Sequence, residues 1–144
     1  MMIKDEIKAL EELESAYEKK ESEVFDICDF VLKRIYKLQT EYNRKNRKML
    51  FIISEGFTHF KVDEVEDRGD LIFINYYDTD YDCYDSDSIL LPPDIFDSDS
   101  KLTEWFESKV SEYEAKVKER KQINENKEYQ EYLRLKEKYD SQEE

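Results

Sequence analysis

Glycine is almost absent from this chain, with two in 144 residues, and proline (two), cysteine (two), histidine (one) and tryptophan (one) are as scarce. Each absence excludes a class of site. Two glycines do not make a phosphate loop or a dinucleotide fingerprint, which need several closely spaced ones for tight backbone approach. A single His removes His-based zinc centres, and Cys28 and Cys83 are too far apart for a Cys-x-x-Cys element. No run approaches the roughly 18 uninterrupted apolar residues of a bilayer span. The start, Met1 to Glu6, is charged and has no apolar signal core, so the expected setting is the cytoplasm, with two reduced thiols. Basic residues are missing altogether between Gly69 and Ser100.

What is present is charge. Charged residues make up 42% of the chain, and the formal net charge is −14. Leu, Ile, Val and Phe together number 36, a quarter of the chain, above the roughly 20% below which a highly charged chain stays unfolded. The expectation is a single domain over residues 1–140 with a disordered tail at 141–144. The charge is not spread evenly. Residues 33–48 carry seven bases against one acid, whereas residues 69–100 carry nine aspartates and no base. Such acidity favours solubility, opposes direct binding of nucleic acid or anionic membrane, and attracts basic protein surfaces.

The apolar pattern predicts an α+β fold. Ile3, Leu10, Tyr17, Val24, Val31 and Leu38 recur every seven residues, with Leu13, Ile27, Cys28, Ile35 and Tyr42 on adjoining rows. That repeat fits one long helix or a coiled-coil seam, and offers a route to a homodimer. The polar run Glu18 to Glu23 favours a hairpin of two helices instead. A small antiparallel sheet is expected at about 50–92: Leu50–Ile53 as either one more strand or the end of the preceding helix, Thr58–Val65 alternating, a turn at Asp67–Asp70, Leu71–Tyr77 as a β-branched and aromatic strand, and Ile89–Leu91 as an edge strand stopped by Pro92 and Pro93. The Arg68-Gly69-Asp70 tripeptide reads as part of that hairpin turn. Asp97, Asp99 and Ser100 are candidate caps for a long amphipathic C-terminal helix, with Leu102, Trp105, Phe106, Val110, Tyr113 and Val117 along one face.

Enzyme chemistry finds no foothold in this pattern. Asp78-x-Asp80-x-Asp82 opens like a calcium loop, but Cys83 stands where glycine is required and Ile89 where the bidentate Glu belongs. His59 reads as an ordinary strand residue, and a thiolate at Cys83 is disfavoured by the surrounding aspartates. No metal, cofactor or catalytic residue is therefore expected. If the strand from Leu71 continues past Tyr77, Asp78, Asp80 and Asp82 fall on one face about 6.6 Å apart, close to the phosphate spacing of a nucleic-acid strand. With Asp85 and Asp87 added, and Asp94, Asp97 and Asp99 beyond, this makes a candidate surface for a basic partner, with Tyr77, Tyr81 and Tyr84 as aromatic anchors. The alternative is an oligomer that binds a nucleotide-type signalling molecule through Arg34, Lys37, Arg44 and Arg47. A third reading is a self-associating helical adaptor.

In size, acidity, scarcity of Gly and Pro, and a Tyr/Asp-rich sheet beside helices, the whole chain resembles small accessory proteins of bacteriophages and other mobile elements, anti-CRISPR and other anti-defence proteins among them. The resemblance implies a non-enzymatic inhibitor in a bacterial host cell. Its partner would be a nucleic-acid-binding defence protein whose basic groove the acidic surface occupies.

Overall fold

The computed structural model describes residues 2–80 and 85–142. The element order is α1 (Met2–Asn46), β1 (Phe60–Asp67), β2 (Ile72–Asp78), β3 (Ser86–Leu91), a short 3-10 turn (Pro93–Phe96) and α2 (Asp99–Gln142). Expectation and structure agree on the α+β class, with helices at both ends and a small antiparallel sheet between. The chain divides into two units, Met1–Phe106 and Glu107–Glu144, and the division falls within α2. Among the described residues no helix is long and apolar enough to cross a membrane.

The N-terminal region is one helix of 45 residues, not the expected hairpin of two. The polar run Glu18–Glu23 consists of good helix formers without Gly or Pro, so it changes what the helix face touches and leaves the backbone unbroken. Lys20 and Glu23, three residues apart, add an ion pair of 3.5 Å. The helix ends in a Schellman turn: Lys48 N–H donates to the Asn43 carbonyl at 3.1 Å, and Arg47 between them adopts a left-handed φ of 53°. That position ordinarily takes glycine, which carries no Cβ penalty there.

The sheet runs β1-β2-β3 with both pairs antiparallel. Its inner face carries Phe60, Val62, Ile74, Tyr76 and Leu91, all buried. Against it pack Cys28, Val31, Leu32 and Ile35 of α1, with Ile53, Phe57, Ile95 and Leu102. Burial pushes the Cys28 thiol up to about 11. Tyr76 sits at the centre, its ring edge-on to Phe57 at 5.5 Å and tilted against Phe60 at 5.5 Å. The register slips between Val62 and Glu64, so that Val62 faces Tyr76 and Glu64 faces Asn75. This bulge returns Val65 to the inner face opposite Ile74, where strict alternation would have turned it outward. Asn75 donates to the Asp63 carboxylate at 2.7 Å across the bulge.

Leu50–Ile53 is neither a strand nor the end of the helix, the two expected alternatives, but an irregular segment whose backbone pairs with side chains of α1. The buried Gln39 accepts from Ile52 N–H at 2.6 Å and Ile53 N–H at 2.8 Å, and donates to the Ile53 carbonyl at 3.0 Å. One turn later Asn43 donates to the Leu50 carbonyl at 2.8 Å and accepts from its N–H at 2.9 Å. Two amides spaced i, i+4 thus supply what a neighbouring strand would have supplied. A turn follows, closed by Phe57 N–H to the Ser54 carbonyl at 3.2 Å, with Gly56 at a φ of 86°.

The cap of α2 is Ser98 rather than the expected Asp97, Asp99 or Ser100: its hydroxyl accepts from Lys101 N–H at 3.2 Å. Leu102 and Phe106 are buried and Trp105 packs against the core. In the second unit the helix continues to Gln142, two residues into the expected tail, and displays Tyr129, Tyr132, Leu135 and Tyr139 as exposed side chains.

Two stability outcomes follow. Gln39→Ala leaves the Ile53 peptide buried without partners and is expected to cost about 2–4 kcal/mol in urea unfolding, against about 1–2 for the less buried Asn43→Ala. Arg47→Gly removes the left-handed penalty and should stabilise by about 0.5–1 kcal/mol in the same assay.

Candidate functional site

The hairpin β2–β3 places the expected acidic residues at its open end, but not on one extended face. β2 stops at Asp78, and Thr79 and Asp80 turn away from the strand. Asp78 faces inward, is buried, and accepts from Asp80 N–H at 2.9 Å. Its own N–H donates to the Asp85 carbonyl at 2.9 Å, closing the hairpin. A strand cannot continue here because the Asp78 side chain takes over the next backbone donor, a local competition common for Asp. Asp82, Tyr81 and Tyr84 lie outside the described residues.

Asp80 is tied to the loop before β1. It accepts from the Thr58 hydroxyl at 2.6 Å and pairs with His59 Nδ1 at 2.9 Å. Thr79 reinforces the link, donating from its N–H and its hydroxyl to the His59 carbonyl at 2.9 and 3.2 Å. The Thr58 and His59 bonds hold the Asp80 carboxyl below its ordinary value near 3.8. Hydroxyl, imidazole and carboxylate are together here, yet the same ring nitrogen faces both Thr58 and Asp80. A proton relay needs the two ring nitrogens on different partners, so this trio ties loops together instead of activating a nucleophile.

Asp87 stands opposite Tyr76 across the β2–β3 pair. Its carboxylate accepts from the Ser54 hydroxyl and from Ser88 N–H, while Ser54 N–H donates to the Tyr76 hydroxyl at 3.1 Å. Burial raises the Tyr76 phenol above its ordinary value, partly offset by the Ser54 bonds. Asp85 and Asp87 are exposed, and Tyr77 lies half-buried on the outer sheet face, paired with Ser86. Asp94, Asp97 and Asp99 follow the far end of β3 and do not extend the same surface. There Asp97 pairs with Lys101 and Asp99 with Arg34.

The basic set is divided as well. Arg34 grips Asp99 with Nε at 2.8 Å and Nη2 at 3.3 Å, joining α1 to the first turn of α2. Arg47 forms the helix terminus. Lys37 and Arg44 are exposed, and their spacing puts them on the side of α1 away from Val31, Ile35 and Gln39. Among the described residues no three His, Cys, Asp or Glu side chains converge as a metal-binding group.

A second surface runs along α1. Every apolar side chain from Met2 to Tyr17 that carries the heptad pattern is exposed: Ile3 61%, Leu10 55%, Leu13 69% and Tyr17 67%. The same rows become core from Cys28 onward. The partnerships of Gln39 and Thr58 were not anticipated. For Gln39 the signal is a polar residue continuing the row Cys28, Leu32, Ile35 that is otherwise apolar; for Thr58 no local signal exists, because its partner is 22 residues away.

No family model matches the chain, and neither a curated protein nor a solved structure is similar to it.

Because Asp80 has a lowered folded-state value, its contribution to stability is present above about 3.9, the unfolded value, and is lost as pH falls through the folded one. Asp80→Asn should therefore lower the unfolding midpoint at pH 7, and the gap to the parent should close steadily as the pH drops below 4. A gap independent of pH would mean that the carboxylate charge plays no part.

Proposed function

We propose that the protein is a non-enzymatic binding protein that occupies a basic, nucleic-acid-binding surface on another protein, a host defence effector in the setting that the phage-type resemblance implies. The observation that carries this reading is the open end of the β2–β3 hairpin. There Asp80, Asp85 and Asp87 are exposed in a base-free stretch, and Tyr77 lies half-buried on the outer sheet face, opposite to the face that carries Asp87. Asp82, Tyr81 and Tyr84 belong to the same stretch of sequence. Asp78 takes no part, because its buried carboxylate serves the turn.

The rim is held stiff by neutral and charged hydrogen bonds from Ser54, Thr58 and His59. A pre-organised carboxylate loses little side-chain freedom on binding, and clustered like charge raises the association rate with a basic partner more than it raises final affinity.

The test is the combined Asp80→Asn, Asp85→Asn, Asp87→Asn variant, which keeps the shape and removes the charge. Affinity capture from a bacterial lysate should retain a basic, DNA-displaceable partner with the parent protein and lose it both with the variant and at high salt. The measured association rate for that partner should fall at least about tenfold. Asp94→Asn with Asp97→Asn, at the other end of β3, should change nothing. Retention by the triple variant at physiological salt would contradict the reading.

A further inference from the structure

Helix α1 carries its apolar repeat far beyond the part that covers the sheet. Ile3, Leu10, Tyr17 and Val24 form one row, and Leu13 and Ile27 occupy the alternate one, over about three and a half heptads. The period matters. A spacing of seven keeps a stripe facing a neighbouring helix, whereas a helix packed on a sheet needs no such regularity. These side chains are one-third to two-thirds exposed. With about 100 Å² available from each of six apolar residues, the stripe offers about 600 Å² per copy, the lower end of the range for a specific protein interface. At its C-terminal end the stripe runs into an apolar groove of about 320 Å³, lined by Val24, Ile27, Val65, Ile72, Pro93 and Phe96.

We propose that residues 2–27 of α1 pair antiparallel with the same segment of a second copy, and that Met2 and Ile3 of each copy enter the groove beside Val24 and Ile27 of the other. Charge selects the orientation. Glu6 and Lys20 interrupt the Leu13/Ile27 row. A parallel pair sets Glu6 against Glu6, Lys20 against Lys20, and the base-free run Glu11–Glu18 against itself. An antiparallel pair centred near Ser15 sets Ile3 opposite Ile27 and Leu13 opposite Tyr17, with Lys4 level with Asp26 and Glu11 level with Lys19. The Lys20 stem lies over Leu10 of the second copy while its ammonium reaches toward Glu14. Sliding one helix by a heptad, so that the centre moves toward the N-terminus, brings Lys4 level with Lys19 and Ile3 against Lys20. Moving it the other way requires Val31, which is already buried in the core at 5% exposure. Only the register centred near Ser15 uses both the stripe and the groove.

Sedimentation of the full chain should give a dimer at micromolar concentration. Leu13→Glu lies outside the core, so it should weaken the dimer at least about 100-fold while the near-ultraviolet circular dichroism of the body stays unchanged. In a Cys28→Ala, Cys83→Ser background, a mixture of the Ile3→Cys and Ile27→Cys proteins should form a disulfide-linked dimer under mild oxidation. Three results would overturn the proposal. One is a monomer at every concentration. Another is self-crosslinking of Ile3→Cys alone, which means a parallel pair. The last is dissociation by Leu135→Glu but not by Leu13→Glu, which makes α2 the seam.

Discussion

The body of the protein depends on the buried amide of Gln39. Its three hydrogen bonds hold the peptide of Ile53 against α1, and several packing events follow from that attachment. Ile53 and Phe57 enter the core beneath the sheet. Ser54 then reaches the Tyr76 hydroxyl and Asp87, and the chain emerges at Thr58 and His59 where they meet Asp80. A buried amide with three hydrogen bonds contributes modestly in net terms, but its removal strands backbone groups that have no access to water. The geometry of the acidic rim is thus set from a helix position more than 40 residues away in sequence.

Helix α1 has two characters on one continuous backbone. From Cys28 to Gln39 its apolar rows are committed to the sheet, and a single polar member of those rows does the anchoring. From Met2 to Tyr17 the same rows face water. An isolated helix of that length is marginal in water, because nucleation is costly and exposed apolar side chains give nothing back. The sheet-bound half supplies a nucleus from which the helix propagates, and a second copy, as proposed, supplies the packing that the free half lacks. The charges follow the same division, with acids prevailing in the free half and Lys37 and Arg44 of the sheet-bound half lying on the face turned away from the core.

Much of this architecture is legible in the sequence, because local periodicity carries it. The heptad rows, the β-branched run from Leu71, the Asp67–Asp70 turn and the Pro92-Pro93 stop are each written within a few residues. The elements that escape a linear reading are those whose partners are remote. Leu50–Ile53 has the composition of a strand, and only the amides of Gln39 and Asn43 make it something else. Val65 breaks the alternation of β1, a sign of the bulge visible in the spacing Val62 to Val65 but not interpretable without β2. Asp78 looks identical to Asp80 in the acidic run, yet one is buried in a turn and the other stands at the rim. The run of like residues hides the division between structural and exposed carboxylates, and hydrogen bonding alone separates them.

The central claim is that α1 is one helix with two partners, the sheet for its second half and a second copy for its first. Amide hydrogen exchange across a concentration series tests this most directly. The account predicts that the Ile52 and Ile53 amides are among the slowest in the protein at every concentration, while protection over residues 2–24 rises as the protein is concentrated. Protection over residues 2–24 that does not change with concentration, or rapid exchange at Ile53, would contradict it.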